Sequence, residues 1–221
     1  FTVPNNAMSG ANQIMVMTPG GQTMQSFNVL DVPSIQMVSS TQGLRGSMVM
    51  IKGNGLASAT VYVGNALANV LDNNQNALTF TIPMDALSGL QTVTVTTAGG
   101  KATTQYTVLD APVITSVTPI QGLRGSTVTV NGTALSDASL LFGGNVLAPI
   151  NVTDTSVTFT VPQNALSGPQ VIQVVTPGGK DTSSFTVLDA PGALTLNTYQ
   201  GLRGTQIVAT GTKLTNANVM M

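Results

Sequence analysis

The sequence predicts an all-β chain of tandem domains, each a sandwich of two sheets, and three observations carry this prediction. First, the string Gln-Gly-Leu-Arg-Gly begins at Gln42, Gln121 and Gln200, a step of 79 residues each time. Second, apolar and polar residues alternate over short segments separated by turn residues, which is the pattern of half-buried strands. Third, no segment has a sustained helical period with capping residues. A fixed period of this kind indicates one small domain repeated head to tail.

The period divides the chain into two complete copies and two partial ones. The complete copies are residues 32–110 and 111–189, and 33 of their 79 aligned positions are identical without a gap. The C-terminal part of a copy precedes them at residues 1–31, and the N-terminal part of a copy follows at residues 190–221. We therefore expect a window from a longer protein. The alternative is that neighbouring molecules complete the partial domains by strand exchange.

The strands of the second complete copy are predicted from its alternating segments. Seven are expected, at residues 113–118, 127–131, 140–142, 146–148, 156–161, 170–176 and 182–188. Short antiparallel strands at this density predict two packed sheets. The glycines of Gln-Gly-Leu-Arg-Gly and of the pair Gly178–Gly179 are expected in tight turns. Residues 163–166 are expected to form a short turn of helix.

Composition agrees with a folded, β-rich chain and narrows the classes of function. Apolar residues make up 42% of the 221 residues and charged residues 7%, against roughly 25% charged in ordinary soluble proteins. The net charge of −1 argues against nucleic acid as a partner, because such binding requires clustered Lys and Arg. The apolar runs are too short to span a bilayer, so no membrane insertion is expected within this segment. With little charge repulsion, self-association with identical chains or neighbouring repeats is expected.

Catalysis finds no support in the residue types present. The chain has no His, Cys or Glu, so the common general bases and thiol nucleophiles are missing. Most of its eight Asp residues differ between the copies, and they suggest no carboxylate pair for glycoside cleavage. The polar run at residues 72–76 lacks the spacing of a calcium loop. We therefore expect no enzyme, no cofactor and no metal site.

The motifs of the repeat stand in a fixed order. The second copy reads Pro112-x-Ile114-x-x-Val117-x-Pro119, Gly122-x-x-Gly125-x-x-Val128-x-Val130-x-Gly132, Phe142-Gly-Gly144, Val161-Pro162, Val174-x-Thr176-Pro-Gly-Gly179 and Phe185-x-Val187. This ordered set resembles the IPT/TIG domain, an immunoglobulin-like β-sandwich. The first copy departs from this pattern at Ser40, at Ala98 and at Val63-Gly64-Asn65. The resemblance implies spacer or adhesive modules on cell surfaces, accessory domains of some starch-acting enzymes, or dimerisation domains of some transcription factors. Such a fold does not by itself fix the function.

Charged residues that match between the copies predict a structural junction. We predict that Arg45 approaches Asp110 and that Arg124 approaches Asp189, where one domain meets the next. The alternative pairs each Asp with the Arg that follows 14 residues later, as Asp110 with Arg124. Only one residue separates each Asp from Pro112 or Pro191, and proline stiffens such a connection. We therefore expect the domains to form a rod with a constant rotation per repeat.

Two methionine positions predict a surface that binds a partner. Met48 and Met50 stand where the second copy has Thr127 and Thr129, at positions that alternation turns outward. They are the candidate partner surface.

The main functional interpretation is a structural repeat protein, outside the cell or on its surface, that forms a stalk, fibre or filament subunit. One alternative is an adhesion or carbohydrate-binding module, which three Tyr and no Trp make less attractive because sugars stack on exposed aromatic rings. The other is a set of accessory domains of an exported enzyme.

Overall fold

The computed structural model describes residues 1–215 and 217–220, and the chain divides into two compact units, Phe1–Asp110 and Ala111–Met221. The described part is all β and contains no helix. The strands of the first unit are β1 (Gly10–Thr18), β2 (Gly21–Val29), β3 (Ser34–Val38), β4 (Gln42–Leu44), β5 (Met48–Asn54), β6 (Thr60–Val63), β7 (Ala66–Leu67), β8 (Asn69–Asn73), β9 (Ala77–Thr81), β10 (Gly89–Thr97) and β11 (Gly100–Leu109). Those of the second unit are β12 (Val113–Thr118), β13 (Gln121–Leu123), β14 (Thr127–Thr133), β15 (Ser139–Phe142), β16 (Asn145–Leu147), β17 (Asn151–Val152), β18 (Ser156–Thr160), β19 (Gly168–Thr176), β20 (Gly179–Leu188), β21 (Gly192–Leu196) and β22 (Ala209–Thr212).

The complete domain of the first unit is a sandwich of two sheets. One sheet has the order β3-β5-β9-β8 and the other has the order β4-β11-β10-β6-β7. Strand β5 alternates strictly between exposed and buried residues, so Val49 and Ile51 point between the sheets. There they join Phe80 and Tyr106, each at most 1% exposed. Each such burial contributes about 1.5–3 kcal/mol to folding, which is why period-2 alternation specifies this architecture.

The complete domain of the second unit repeats the same arrangement. Its sheets have the orders β12-β14-β18-β17 and β13-β20-β19-β15-β16. Three aromatic rings fill the centre, with Phe142 5.6 Å from Phe159 and 6.1 Å from Phe185 between ring centroids. The predicted two-sheet, all-β class is confirmed.

Two expectations about local structure need correction. The second complete domain has nine strands where seven were expected. The extra strands, β13 and β17, have three residues and two residues, too few to show an alternation. The helical turn expected at residues 163–166 is absent; residues 162–165 form a turn that the backbone bond from Ala165 N to Pro162 O closes at 3.1 Å.

The Gln-Gly-Leu-Arg-Gly motif is half strand and half turn. Strand β4 pairs parallel with the last strand, β11, placing Gly43 opposite Val108. A Cβ on Gly43 would lie 2.5 Å from the hydroxyl of Tyr106, so glycine is needed there for close approach to the core ring. Gly46 has φ of 81° and its N–H donates to Ile82 O at 2.8 Å. Gly46 therefore lies in a tight turn, as predicted for both glycines, whereas Gly43 lies in a strand.

The partial copies each form a small sheet of two strands. Strands β1 and β2 pair as a hairpin in register from Gly10–Val29 to Thr18–Gly21, and β21 pairs with β22. None of the described residues belongs to a helix that is long and apolar enough to cross a membrane.

Candidate functional site: the exit cluster of each complete domain

Two of the charged positions that match between the copies, the Arg of the repeated motif and the Asp after the last strand, lie together at the end of each sandwich where the last strand leaves. We call these groups the exit clusters. The first consists of Arg45, Ala86, Ser88 and Asp110, and the second consists of Arg124, Ala165, Ser167 and Asp189. The turn that follows β4 or β13 presents the Arg, and the residue after β11 or β20 supplies the Asp.

In the first unit the guanidinium of Arg45 contacts three different groups. Its Nε donates to the carbonyl of Ala86 at 2.8 Å, and one NH2 nitrogen donates to Ser88 Oγ at 2.9 Å. Another guanidinium nitrogen forms an ion pair with Asp110 Oδ1. Ser88 Oγ in turn donates to the second oxygen of Asp110 at 2.5 Å. The planar fork of Arg suits this set of acceptors, which a Lys ammonium cannot match.

In the second unit the same atoms make the same bonds. Arg124 Nε donates to Ala165 O at 2.8 Å, and Arg124 donates to Ser167 Oγ at 3.0 Å and to Asp189 Oδ1 at 2.6 Å. Ser167 Oγ donates to Asp189 Oδ2 at 2.6 Å. Lys213 adds an ion pair to that same oxygen at 2.8 Å. Asp189 thus links its own domain to the partial copy that follows.

These contacts lower the pKa of both carboxyl groups. The hydrogen bond from Ser88 and then that from Arg45 hold the pKa of Asp110 below its ordinary value of 3.8. For Asp189 the largest cause of the lowered pKa is Lys213, followed by Ser167 and Arg124. Both carboxylates stay ionised at neutral pH as acceptors of hydrogen bonds, and neither is poised for general acid catalysis.

The corresponding Asp of the first partial copy has different partners. Asp31 accepts hydrogen bonds from Ser9 and, at 2.6 Å, from Gln75 Nε2 of the complete domain that follows. Arg45, which stands 14 residues after Asp31, is engaged with Asp110. The structure therefore brings together the predicted pairs Arg45–Asp110 and Arg124–Asp189. It does not pair Asp31 with Arg45, as the alternative spacing required.

The two junction prolines differ in their surroundings. Pro112 is buried, and a Cβ on Gly179 would lie 3.8 Å from its Cδ. Pro33 is likewise buried, beside Gly100. In both complete domains the first residues thus pack on the glycine turn of the last hairpin. Pro191, at the start of the second partial copy, is exposed.

The candidate partner surface lies on the outer face of β5. Met48 is 69% exposed and Met50 is 37% exposed. Their strand neighbours on β9 are Thr81 and Thr79. The structure places both methionines outward.

Sequence reasoning missed several polar residues of the domain ends. Ser88 and Ser167 belong to an Ala-Leu-Ser-Gly string common to both copies, a signal that identity between copies would have revealed. Asp181 accepts the backbone N–H groups of Ile114 and Thr182, both at 2.7 Å. These two bonds, the one from Ile114 first, lower the pKa of Asp181. The first copy has Ala102 in that place, so comparison of the copies gave no signal for it.

Two-sheet sandwiches repeated at a fixed period, each tied at its exit by one Arg–Ser–Asp cluster, define a tandem immunoglobulin-like repeat protein. The model of the IPT/TIG domain family matches residues 33–109 and 112–188. The chain therefore belongs to the IPT/TIG family, and the resemblance drawn from its motifs is confirmed. No curated protein sequence matches the chain.

Similar solved structures come from several kinds of protein. The full extracellular region of plexin A4 is 16% identical, with a TM-score of 0.37, covering 71% of this chain and 18% of plexin. The surface glycan-binding protein PbSGBP-B from Prevotella bryantii is 19% identical, with a TM-score of 0.41, covering 72% of this chain and 43% of that one. SGBP-B from a complex xyloglucan utilization locus in Bacteroides uniformis is 20% identical, with a TM-score of 0.35 and coverages of 79% and 58%. The chain thus spans less than two thirds of each of these proteins.

Proposed function

We propose that these repeats are spacer domains of an extracellular or cell-surface protein, with an accessory role beside domains that bind or act on a ligand. The observation that carries this proposal is that residues identical in both copies form the hydrogen bonds at the exit end of each complete domain. Arg45, Ser88 and Asp110, and their counterparts in the second domain, hold the backbone at the exit end. We place this accessory role ahead of a filament subunit.

The exit cluster suits a spacer for a physical reason. The guanidinium bridges the turn after β4, the loop before β10 and the residue after β11, and such charge-assisted bonds are directional. The direction in which the chain leaves the domain is therefore fixed by side chains and not by the backbone alone. Because a short proline-containing connection follows, little freedom is left for a hinge.

Carbohydrate binding by the repeats themselves is the second candidate. Glycan binding is what the names of the two bacterial surface proteins say of those proteins, and for this chain it is a proposal only. The feature that favours it is Tyr62 on β6, a residue that is 38% exposed. An exposed ring with a polar hydroxyl offers the mixed surface that suits a sugar.

Spin-label distances test the spacer proposal. The chain has no Cys, so Met48→Cys with Thr127→Cys places labels at equivalent strand positions of the two complete domains. We expect one narrow distance near 35–45 Å, from strands of roughly 6–8 residues at about 3.3 Å each plus loops. As a control, Met48→Cys with Lys101→Cys places both labels inside one domain. Its distance distribution gives the width expected for a rigid pair. A distribution several times broader than this control would contradict a stiff spacer.

Affinity electrophoresis in gels that contain xyloglucan tests the second candidate. Retardation that Tyr62→Ala abolishes would establish a sugar site on β6. If the chain migrates as it does in a gel without polysaccharide, the accessory spacer alone stands.

A further inference from the structure

Every methionine of the first complete domain lies on its surface. The four are Met37, Met48, Met50 and Met84, which are 50%, 69%, 37% and 76% exposed, and we call them the surface methionines. The buried core of this domain, which the structure describes throughout, consists of Val, Ile, Leu, Ala, Phe and Tyr. Methionine ordinarily fills irregular gaps between core side chains, and these four do not do so.

Three of the surface methionines share the outer face of one sheet. Met48 and Met50 occupy exposed positions of β5, two residues apart, and Lys52 is the next exposed position of that strand. Met37 lies on β3 directly opposite Lys52. Because strand residues two apart point to the same side, Met37 and Met50 lie on the same outward face.

The second complete domain carries polar side chains at all four positions. The residues there are Ser116, Thr127, Thr129 and Gln163. The strand pairing around them is the same, since β14 pairs with β18 as β5 pairs with β9. A polar group at each of these positions is therefore compatible with the fold.

The fourth position shows this agreement in atomic detail. A Cβ on Gly46 would lie 3.7 Å from the sulfur of Met84. A Cβ on Gly125 would lie 2.9 Å from the amide nitrogen of Gln163. Thioether and amide thus lie beside the same turn of their domains.

Thioethers are the reactive sulfur groups of this chain, which has no Cys. Hydrogen peroxide transfers one oxygen atom to the sulfur: the O–O bond breaks, an S–O bond forms, and the second oxygen leaves as water. The sulfur loses two electrons and the peroxide gains them. The sulfoxide is polar and disrupts packing inside a core. At the surface methionines the oxygen is added to side chains that already contact water.

We propose that the surface methionines are a redox modification site, at which peroxide converts an apolar outer face into a polar one while the sandwich keeps its structure. The second complete domain has no methionine, so this response belongs to the first domain of the pair. Two neighbouring domains of one fold then differ in a surface property that an oxidant controls.

Peroxide treatment followed by peptide mass spectrometry tests the reactivity. We expect each surface methionine of the folded chain to react within about fivefold of the rate of free methionine, because oxidation follows exposure. The buried reference is Leu78→Met, since Leu78 on β9 is 1% exposed and Leu and Met have similar volumes. Its thioether should react more than about tenfold slower, because it requires opening of the domain. Surface methionines as slow as this reference would overturn the proposal.

Hydrogen exchange of the oxidised chain tests whether the sandwich keeps its structure. The amides of β5 and β9 should exchange at less than about three times their rate in the untreated chain, because the sulfoxides replace no core contact. The amides of β14 and β18 serve as the internal reference. Acceleration of β5 and β9 beyond this factor would overturn the proposal.

A variant that borrows the residues of the second domain is the matched control. It combines Met37→Ser, Met48→Thr, Met50→Thr and Met84→Gln. Retention of the folded parent chain on a phenyl resin should fall after peroxide treatment, because apolar surface becomes polar. The variant should be retained less than the parent before treatment and should lose less on treatment, the remaining loss coming from methionines outside the domain. Equal losses for both proteins would overturn the assignment to these four positions.

Discussion

Replacing Arg45 with Ala removes the centre of the first exit cluster. Three contacts are lost, to the Ala86 carbonyl, to Ser88 and to Asp110. A hydrogen bond to a charged group is worth about 1.5–3 kcal/mol when shielded, and an exposed ion pair contributes about 0–1 kcal/mol. The side chains of Arg45 and Asp110 are 26% and 42% exposed, so solvent screens these contacts, and because they share one guanidinium their contributions do not add in full. We expect a loss of about 2 kcal/mol.

Hydrogen exchange measured by mass spectrometry on the whole chain resolves this loss locally. The amides that pair β4 with β11, including Thr107 N donating to Thr41 O at 2.8 Å, should exchange faster because the cluster holds these strands together. A change of about 2 kcal/mol corresponds to roughly 30-fold faster exchange when opening is rapid and reversible. Amides of β14 in the second unit serve as the internal reference.

Two further variants test whether the guanidinium of Arg45 holds β4 and β11 together. Arg45→Lys keeps the charge but loses the fork, and should recover only part of the protection. Lys52→Ala removes an exposed cation of the same domain and should leave exchange unchanged. If Arg45→Ala accelerates β4 and β11 less than threefold, the cluster does not hold the exit strand and the spacer argument fails.

Three other predictions concern pH, packing and association. The pKa of Asp110 is lower in the folded chain than its ordinary value of 3.8, so its stabilisation is complete above that value and is lost as the pH falls through the folded pKa. The free energy of unfolding, measured with urea, should therefore fall less steeply with decreasing pH for Asp110→Asn than for the parent chain. Parallel curves of this free energy against pH for the two proteins would contradict the prediction. Gly132→Ala places a Cβ 2.1 Å from the Val113 carbonyl oxygen and should cost at least about 2–3 kcal/mol. Gly20→Ala, whose nearest neighbour is 3.8 Å away, should stay within about 0.5 kcal/mol of the parent. Met48→Thr with Met50→Thr should weaken lateral self-association in sedimentation; unchanged sedimentation would remove the candidate partner surface.

The repeated pattern allowed the fold to be predicted from the sequence. Alternation at Val128 and Val130, with the same pattern around Phe159, specified which residues point between the sheets, and the structure buries all three fully. The pairs Arg45–Asp110 and Arg124–Asp189 could be predicted from the sequence, because few charged positions recur between the copies and charges of opposite sign at one domain end attract each other. Strands β13 and β17 could not be predicted from the sequence, because they are too short to alternate and their pairing depends on neighbours distant in the sequence.

The contacts that cross a repeat boundary were hidden for a different reason. Gln75 reaches Asp31, and Lys213 reaches Asp189, but these two residues stand at different positions of the repeat. A comparison of copies detects what recurs, and each of these contacts occurs once. Their positions follow from how one repeat packs on the next, which no local pattern encodes.

The parallel pairing of β4 with β11 has a mechanical consequence. Tension applied through the two ends of a complete domain pulls β11 by its C-terminus and β4 from its N-terminal side. Since the two strands run in the same direction, the pull slides them past one another along their axes. Their hydrogen bonds then resist together and not in succession, as they would if a hairpin were peeled open. The first complete domain should therefore withstand stretching far better than its modest size suggests, and Gly43, which lets β4 lie flat over Tyr106, sits in the middle of that resisting patch.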